Sequence, residues 1–384
     1  MANKNLSEAK LAKNDEFYTQ YTDIQKEINA YMEFNPDVFR GKTILLPCDD
    51  PEWSNFTKFF AQNFENFGLK KLISTSFAQQ SKNFQTDWQP TLFETENPMF
   101  DVEKTAVCGK IFTLTHDTNK NGKVDIEDLE WEYLTGTGDF RSPEVTALRD
   151  EADIIITNPP FSLFREFVAW IIEAEKQFII IGNMNAITYK EIFPLIKDNK
   201  MWLGNGFHAG NAYFKVYGSS SRNYAEGVYD EKTELVKFRN CCWFTNLDHG
   251  RRHEPLQLMT MADNLKFSRH KEIKGKTEYQ HYDNYDAIEV PFTDSIPSDY
   301  KGIMGVPISF LDKYCPEQFQ IMGMCENEDL YKLKTKVYTT AECKQAYSNK
   351  FKKNGTYDLN ASGVVTRNGL QEKVYQRILI RKIK

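Results

Sequence analysis

The sequence predicts a doubly wound α/β domain, in which helices cover both faces of a mostly parallel sheet. Two observations lead to this fold class. Short segments at residues 43–47, 152–157 and 178–181 are almost entirely apolar, as expected of strands buried on both faces. Segments with helical spacing of apolar residues alternate with these strands. This fold class places the ligand site at the carboxyl ends of the strands, and two of the strands end in polar residues.

The individual elements follow in chain order. Residues 21–34 have a helical pattern and lead into the strand at 43–47. The next predicted helix, 55–67, has phenylalanines at helical spacing: Phe56, Phe59, Phe60, Phe64 and Phe67. A further strand is predicted at 71–75. The helix after strand 152–157 has one apolar face, formed by Phe164, Phe167, Val168, Ile171 and Ile172.

Beyond residue 201 the pattern changes. Segments 235–238 and 242–245 are strand-like and are candidates to complete the same sheet. From about residue 251 the chain is polar and loop-rich, with an alternating segment at 374–381. We therefore expect two regions, 1–250 and 251–384.

The net charge of −6 is an average over two unlike parts. Residues 331–384 contain 13 Lys and Arg but 3 Asp and Glu, a net charge of +10, which leaves −16 for the rest of the chain. A basic end on an acidic body is typical of proteins that bind a polyanion, although a solubilising surface has the same composition.

The ends and the cysteines indicate the compartment. No run of about 18 apolar residues occurs, so no membrane span is predicted. The N-terminus is polar and lacks the apolar core of a signal peptide. The seven cysteines are scattered without CxxC spacing, which favours reduced thiols in the cytoplasm over a zinc site or a disulfide framework.

The motif with the clearest chemistry is Asn158-Pro159-Pro160-Phe161, directly after an apolar strand and before a helix. Asn158 offers a side-chain carbonyl, and the two prolines lack N–H groups, so their backbones offer only acceptors. Phe161 offers a flat stacking face. Such a set suits a planar ring that carries an NH₂ group. The alternative is a Pro-Pro stop to the strand with Phe161 in the core.

This motif resembles motif IV of amino-methyltransferases, and a wider set of segments is similar to the EcoRI-type adenine-specific DNA modification methylases. The similar segments are DEFYTQY (15–21), CDDP (48–51), GDFRS (138–142), TNPPFSLFRE (157–166), IGNMNAITYK (181–190), WFTNLDH (243–249) and MGVPI (304–308). The resemblance implies a Rossmann-like methyltransferase sheet and methyl transfer from S-adenosyl-methionine to the N6 amine of adenine in double-stranded DNA. It further implies a flipped target base, held by Asn158 and the Pro159 carbonyl and stacked on Phe161.

The resemblance also implies the residues that bind the cofactor. They are Phe17, Tyr18 and Thr19 of motif X, Asp49 and Asp50 of motif I, Asp139 and Phe140 of a third segment, and Asn158. A carboxylate after the first strand suits the cofactor's ammonium group. The chain departs from the usual glycine-rich form, because no glycine lies between Leu45 and Asn66. Taken singly, these residues also fit a hydrophobic staple and ordinary turns.

Residues 117–128 follow a calcium-loop pattern. The candidate ligands are Asp117, Asn119, Asn121, Lys123 and Asp128. The preceding segment, 110–115, has a strand pattern instead of a helical one, so a hairpin with a turn at Asn121-Gly122 is the alternative. Either structure would be an insertion at about 110–135 in the catalytic region.

Residues 251–384 are expected to form the basic DNA target-recognition region. The candidate phosphate contacts are Arg251, Arg252, Lys266, Arg269, Lys271, Lys332, Lys334, Lys336, Lys350, Lys352, Lys353, Arg377, Arg381, Lys382 and Lys384. A restriction endonuclease that acts on the same site is the implied partner. Two alternatives remain open: the same chemistry on RNA or on a protein glutamine amide, and a DNA-binding module without activity.

Overall fold

The computed structural model describes residues 18–51, 54–78, 95, 98–207, 211–215 and 227–383. The chain divides into two compact units, one that ends at Gly250 and one that begins at Arg251. Phe17, the first of the predicted cofactor residues, and Lys384, the last of the predicted phosphate contacts, lie outside the described residues. Each unit has sheets and helices of its own.

The first unit combines strands and helices in alternation. Its strands are β1 (Tyr18–Thr19), β2 (Thr43–Leu46), β3 (Lys71–Ser76), β4 (Lys110–Leu114), β5 (Glu130–Tyr133), β6 (Ile154–Thr157), β7 (Gln177–Asn183), β8 (Trp202–Leu203), β9 (Asn211–Lys215), β10 (Tyr229–Asp230), β11 (Leu235–Arg239) and β12 (Cys241–Thr245). Its helices are α1 (Tyr21–Phe34), α2 (Asn55–Gln62), α3 (Phe64–Phe67), α4 (Val102–Val107), α5 (Pro143–Glu151), α6 (Phe164–Glu173) and α7 (Phe193–Lys197).

An eight-stranded sheet forms the centre of this unit, in the order β5-β4-β3-β2-β6-β7-β12-β8. The four middle strands, β3, β2, β6 and β7, are parallel to one another. The outer strands run antiparallel to their neighbours. Every residue of β2 and β6 is buried, which explains why their sequences are apolar with no alternation. The unit is therefore a mixed α/β structure with a parallel centre.

A smaller antiparallel sheet in the first unit has the order β1-β9-β11-β10. Segment 235–238 lies here as β11, so its predicted place in the central sheet is wrong. Segment 242–245 does join the central sheet, as part of β12. Between β11 and β12, Asn240 has a φ of 62°, a left-handed conformation that Asn tolerates better than most residues. This residue turns the chain from one sheet to the other.

The helices agree with the predicted periodicity, with one interruption. The helix predicted over 21–34 is confirmed as α1. The helix predicted over 55–67 is divided into α2 and α3 at Asn63, whose side chain donates a hydrogen bond to the Phe59 carbonyl (2.8 Å). Side chains of this type compete with the helix for backbone groups. Gly68, with a φ of 63°, ends α3.

The second unit is a small mixed structure. Its strands are β13 (Ala287–Glu289), β14 (Ile303–Pro307), β15 (Phe319–Met324), β16 (Val364–Arg367), β17 (Leu370–Lys373) and β18 (Arg377–Lys382), and its helices are α8 (Met261–Phe267) and α9 (Thr340–Phe351).

The loop-rich region expected after residue 251 contains a four-stranded sheet in the order β13-β14-β18-β15, and β16 pairs with β17 as a separate hairpin. The predicted segment 374–381 includes most of β18, which lies between β14 and β15. The strands of this sheet are only three to six residues long and far apart in sequence, so they leave a weak pattern. No helix in the described parts of the chain is long and apolar enough to cross a membrane.

Candidate active site

The predicted site residues follow the parallel strands at the edge of the central sheet where these strands end. Asp49 and Asp50 come after β2, and Asn158 comes directly after β6. Gly138, with a φ of 83°, packs against the Ser76 carbonyl at the end of β3 and leaves no room there for a side chain. The carboxyl ends of parallel strands meet at one edge, where α/β domains bind their ligands.

Asp49 is buried, with 5% of its surface exposed, and links two parts of this edge. The Ser54 hydroxyl donates a hydrogen bond to Asp49 Oδ1 (2.7 Å). The Thr157 hydroxyl donates to Asp49 Oδ2 (2.6 Å). The backbone N–H of Asp49 donates to the Thr75 carbonyl on β3 (3.1 Å). The carboxylate is therefore fixed between the loop after β2 and the last residue of β6.

The loop after β2 leads directly into α2. Ser54 is the N-cap of this helix, because its hydroxyl accepts a hydrogen bond from the Phe56 N–H (3.1 Å). The Asp50 carbonyl accepts a hydrogen bond from the Ser54 N–H (2.7 Å). Asp50 itself is 7% exposed. A buried carboxylate close to a helix N-terminus suits a cationic ligand group without the glycine-rich loop that is usual here.

The Asn158-Pro159-Pro160-Phe161 motif forms the next loop along the edge. Asn158 is half-buried and Pro159 is buried. The Pro160 carbonyl accepts a hydrogen bond from the Leu163 N–H (2.9 Å), which begins the short helical turn before α6. The Pro160 carbonyl is therefore part of this helical turn, whereas the Pro159 carbonyl is not part of it.

Phe161 is half-buried and contacts the smaller sheet. Its ring meets Phe238 of β11 and Phe214 of β9 edge-to-face, with ring centroids 5.8 Å and 6.4 Å apart. These two edge-to-face contacts fix the orientation of the Phe161 ring. The smaller sheet therefore supports the motif from the side.

The same small sheet brings Tyr18 and Thr19, two of the predicted motif X residues, to this edge. Thr19 of β1 faces Phe214 across the strand pair, and Tyr18 faces Lys215. The Asn55 side chain, at the start of α2, donates a hydrogen bond to the Thr19 carbonyl (2.7 Å). The Thr19 hydroxyl is buried and makes no hydrogen bond to any described residue. Buried hydroxyls are normally satisfied, so this one suits a bound ligand.

Asp139 and Phe140 are close to each other in the chain but differ in their surroundings. Asp139 is half-buried and accepts hydrogen bonds from Arg141 Nε (2.9 Å) and Nη2 (2.7 Å), and this pairing raises the pKa of Arg141. Phe140 is 4% exposed, and its ring packs edge-to-face on Phe167 (5.0 Å) and Trp170 (5.5 Å) of α6. Phe140 thus anchors the loop that presents Asp139.

The predicted calcium loop connects β4 to β5 and uses its polar side chains for turns. Asp117 accepts hydrogen bonds from the backbone N–H groups of Asn121 (3.2 Å) and Gly122 (2.8 Å). The Asn119 side chain accepts from the Asn121 N–H (3.0 Å), and the Asn121 side chain accepts from the Lys123 N–H (2.9 Å). The Asn119 and Asn121 contacts are those of Asx turns, and the Asp117 carboxylate closes the loop around them.

Asp128 closes the loop as a buried cap. Its Oδ1 accepts hydrogen bonds from the N–H groups of Thr118 (2.9 Å) and Asn119 (3.0 Å), and its Oδ2 accepts from the Asp125 N–H (3.0 Å). Within the described ranges, no three His, Cys, Asp or Glu residues form a group that could hold a metal ion. The calcium hypothesis is therefore not supported, and the antiparallel pair β4–β5 agrees with the hairpin alternative.

Comparison with known proteins identifies the family. A family model described as "Adenine-specific methyltransferase EcoRI" matches residues 5–383. The chain belongs to this family. It is 40% identical over 335 residues to the type II methyltransferase M.EcoRI of Escherichia coli. The alignment covers 85% of this chain and 91% of that protein.

Two mycoplasma proteins are also similar. The type II methyltransferase M.MpnI of Mycoplasma pneumoniae is 35% identical, with 86% of this chain and 89% of that protein covered. M.MgeORF184P of Mycoplasma genitalium is 32% identical, with 97% of both chains covered. No solved structure matches the chain.

Several residues that support this EcoRI-family site are not among the site residues predicted from the sequence. Ser54 could have been found as the N-cap before a helical segment. Thr157 is the last residue of an apolar strand, and its contact with Asp49 joins residues that are 108 positions apart. Phe214 and Phe238 come together with Phe161 only through the pairing of the smaller sheet. Sequence spacing does not reveal such long-range contacts.

Proposed function

We propose that the protein transfers a methyl group from S-adenosyl-methionine to the N6 amine of a flipped adenine in double-stranded DNA, as the modification enzyme of a type II restriction-modification system. The observation that supports this proposal most directly is the position of Asn158-Pro159-Pro160-Phe161 at the carboxyl end of the central strand β6. Membership of the family supports the reaction, and the names of the three relatives support the type II role.

Acceptor groups carry the chemistry in this proposal. The Asn158 side-chain carbonyl and the Pro159 backbone carbonyl accept hydrogen bonds from the two N–H groups of the target amine. These bonds draw the nitrogen lone pair out of conjugation with the ring and direct it toward the methyl donor. Phe161 stacks on the adenine. The N–C bond would form as the S–CH₃ bond of the donor breaks and its electron pair stays on the sulfur, which becomes a neutral thioether. The cationic amine would then release a proton to water, so no residue is needed as a general base.

The residues at this edge fit S-adenosyl-methionine, which supplies an electrophilic methyl group when bound. Asp50 is a buried carboxylate for the cofactor's ammonium group. The buried Thr19 hydroxyl offers a polar contact that no described residue uses. Asp139, which follows Gly138 at the end of β3, would accept a hydrogen bond from the cofactor's adenine. We assign Tyr18 and Phe140 to the walls of the same pocket and Asp49 to its support.

The layout of the first unit supports a Rossmann-like, doubly wound assignment. Its parallel order β3-β2-β6-β7 places β2 and β6, which carry the two predicted loops, side by side. In such sheets the ligand binds where neighbouring strands lead to opposite faces. We therefore assign residues 1–250 to cofactor binding and catalysis.

The second unit, residues 251–384, is assigned to target recognition. Its positive charge is concentrated in the +10 segment, 331–384, because residues 251–330 have 9 Lys and Arg against 14 Asp and Glu. Lys332, Lys352 and Lys353 are exposed and suit phosphate contacts. A restriction endonuclease that cleaves the same site is the expected partner, and modification of cellular DNA would place the protein in the cytoplasm.

One assay tests the proposal. The protein is incubated with labelled S-adenosyl-methionine and with unmethylated plasmid, RNA or protein, and labelled nucleosides and residues are identified. We expect label in N6-methyladenine of the plasmid. Label only in RNA or in glutamine would refute the DNA substrate, and transfer to no acceptor would favour an inactive DNA-binding module.

A further inference from the structure

The carboxylate of Asp49 lies between two hydroxyl groups from separate parts of the edge. Ser54, which donates to Oδ1 (2.7 Å), begins α2 in the predicted cofactor loop. Thr157, which donates to Oδ2 (2.6 Å), is the residue directly before Asn158. All three are at least 95% buried. Hydrogen bonds to an ionised carboxylate in such surroundings are short and strong.

This arrangement differs from that of a carboxylate that points into a ligand pocket. The Asp49 carbonyl also accepts hydrogen bonds, from the Thr57 hydroxyl (3.2 Å) and from the Ser74 hydroxyl on β3. Backbone and side chain of Asp49 are thus tied to β3, α2 and β6 together. Asp50, its neighbour, is the carboxylate that we assign to the cofactor.

We propose that Asp49 is a positioning residue that couples the cofactor loop to the catalytic loop through the Ser54–Asp49–Thr157 bridge. The inference rests on the proposed function, because it assigns the two loops to cofactor and target. The Thr157 branch fixes the backbone from which Asn158 and the Pro159 carbonyl reach the target amine. The Ser54 branch fixes the start of α2 beside Asp50. The bridge sets the distance between methyl donor and amine without touching either.

The coupling follows from the geometry that methyl transfer needs. The donor carbon and the amine nitrogen have to be in line and close, and a displacement of about 1 Å can cost on the order of 100-fold in rate. β2 and β6 pair directly only through Ile44–Ile154 and Leu45–Ile155. Beyond these pairs, the bridge is a direct link between the two loops.

The test compares single-site variants that interrupt one branch each. Thr157→Val removes the hydroxyl at nearly constant volume, and we expect a decrease of about 10- to 100-fold in single-turnover methyl transfer at saturating cofactor. The cofactor Kd, measured by equilibrium binding, should stay within about twofold, since this variant leaves the Ser54 branch intact. Ser54→Ala should mainly raise the cofactor Kd. Asp49→Ala should do both.

Two controls separate positioning from a general loss of structure. Thr157→Ser keeps the hydroxyl and should restore transfer to near the wild-type rate. Thr245→Val removes a hydroxyl that is equally buried in the central sheet and donates to the Phe178 carbonyl (2.8 Å) away from this edge. It should lower the melting temperature without changing transfer by folded protein. If Thr157→Val fails to fold, Thr157→Ala and Thr157→Ser are compared instead.

The outcomes are distinct. The proposal is supported if transfer falls in Thr157→Val and recovers in Thr157→Ser, and if Asp49→Ala combined with Thr157→Val transfers no more slowly than Asp49→Ala alone. It is overturned if Thr157→Val transfers like wild type, or if it only weakens cofactor binding. Transfer is measured on whichever acceptor the wild-type protein methylates. A failure of the DNA proposal therefore leaves this comparison intact.

Discussion

Asn158 is the residue on which the proposed chemistry depends most directly. Replacement by Ala removes an acceptor for the target amine but leaves β6, Thr157 and the bridge to Asp49 in place. We expect transfer to fall on the order of 100-fold or more, as for removal of other preorganised hydrogen-bonding groups at a reacting centre. The cofactor Kd should change little. Single-turnover transfer and equilibrium cofactor binding measure the two effects, and much weaker cofactor binding with normal transfer would contradict the assignment.

At the residue scale, the sequence predicts the identity of the strand-end residues better than their roles. Asp49, Asp50 and Asn158 follow apolar strands, and a parallel sheet brings such positions to one edge. The roles depend on contacts between distant residues. The Asp49 carboxylate accepts hydrogen bonds from two hydroxyls, one of them that of Thr157, and Phe140 is buried against other aromatic rings. Nothing in the local pattern distinguishes a ligand carboxylate from a bridging one.

At the scale of elements, the loop between β4 and β5 gives a prediction about stability. Burial raises the pKa of Asp128, but hydrogen bonds from the N–H groups of Asp125 and Asn119 and from Thr118 more than offset this, so its pKa lies below the ordinary value. The ionised carboxylate therefore stabilises the fold above the ordinary Asp pKa, and this contribution disappears as the pH falls through the lowered value.

Asp128→Asn tests this cap. We expect the free energy of unfolding to fall by about 1–2 kcal/mol at neutral pH, as for the removal of other caps. The difference from wild type should shrink as the pH drops below about 4, where the unfolded carboxyl is protonated. Urea unfolding at a series of pH values measures both. Millimolar calcium should leave the melting temperature of the wild-type protein unchanged, and an increase would restore the calcium hypothesis.

The elements that the sequence predicts are those defined by local patterns. α1, β2, β6 and β7 have a continuous apolar or helical signature, and each forms close to its predicted place. The sequence does not predict the smaller sheet as a separate sheet. Its pairing of β1 with β9 joins Tyr18 to Lys215, and β1 has only two residues. Short strands whose partners lie far away in the chain leave no periodic signal.

At the scale of the whole molecule, the basic end of the chain is part of the second unit's core. β18 lies between β14 and β15, and Arg377 is buried in an ion pair with Glu289 (2.6 Å) to which Tyr282 also donates a hydrogen bond. Arg377 is therefore not a phosphate contact, which corrects the expectation from the sequence. Removal of residues 331–384 would delete β18 together with the ion-pair partner of Glu289, at a large cost in stability.

Arg252 and Lys334 are also removed from the set of phosphate contacts expected from the sequence. Arg252 is 7% exposed. Lys334 is half-buried, and its ammonium group donates to the carbonyls of Asn327 (2.9 Å) and Asn360 (3.0 Å). The structure thus uses part of the +10 charge to hold the second unit together. Charge counts alone do not separate such residues from those on the surface.

The remaining exposed lysines give the prediction for DNA binding. Lys352 and Lys353 follow α9 and are both exposed. In the Lys352→Gln/Lys353→Gln variant, the slope of log K for DNA binding against log salt concentration should become less negative. The change should be about 0.9 for each phosphate that the variant no longer neutralises. Affinity should fall by a similar factor for specific and for unrelated duplexes.

Lys70→Gln/Lys200→Gln is the matched control, since both lysines are exposed and precede strands of the central sheet in the first unit. Fluorescence anisotropy over a range of salt concentrations measures the slopes, and equal slopes for the two variants would contradict the assignment of the basic segment to DNA.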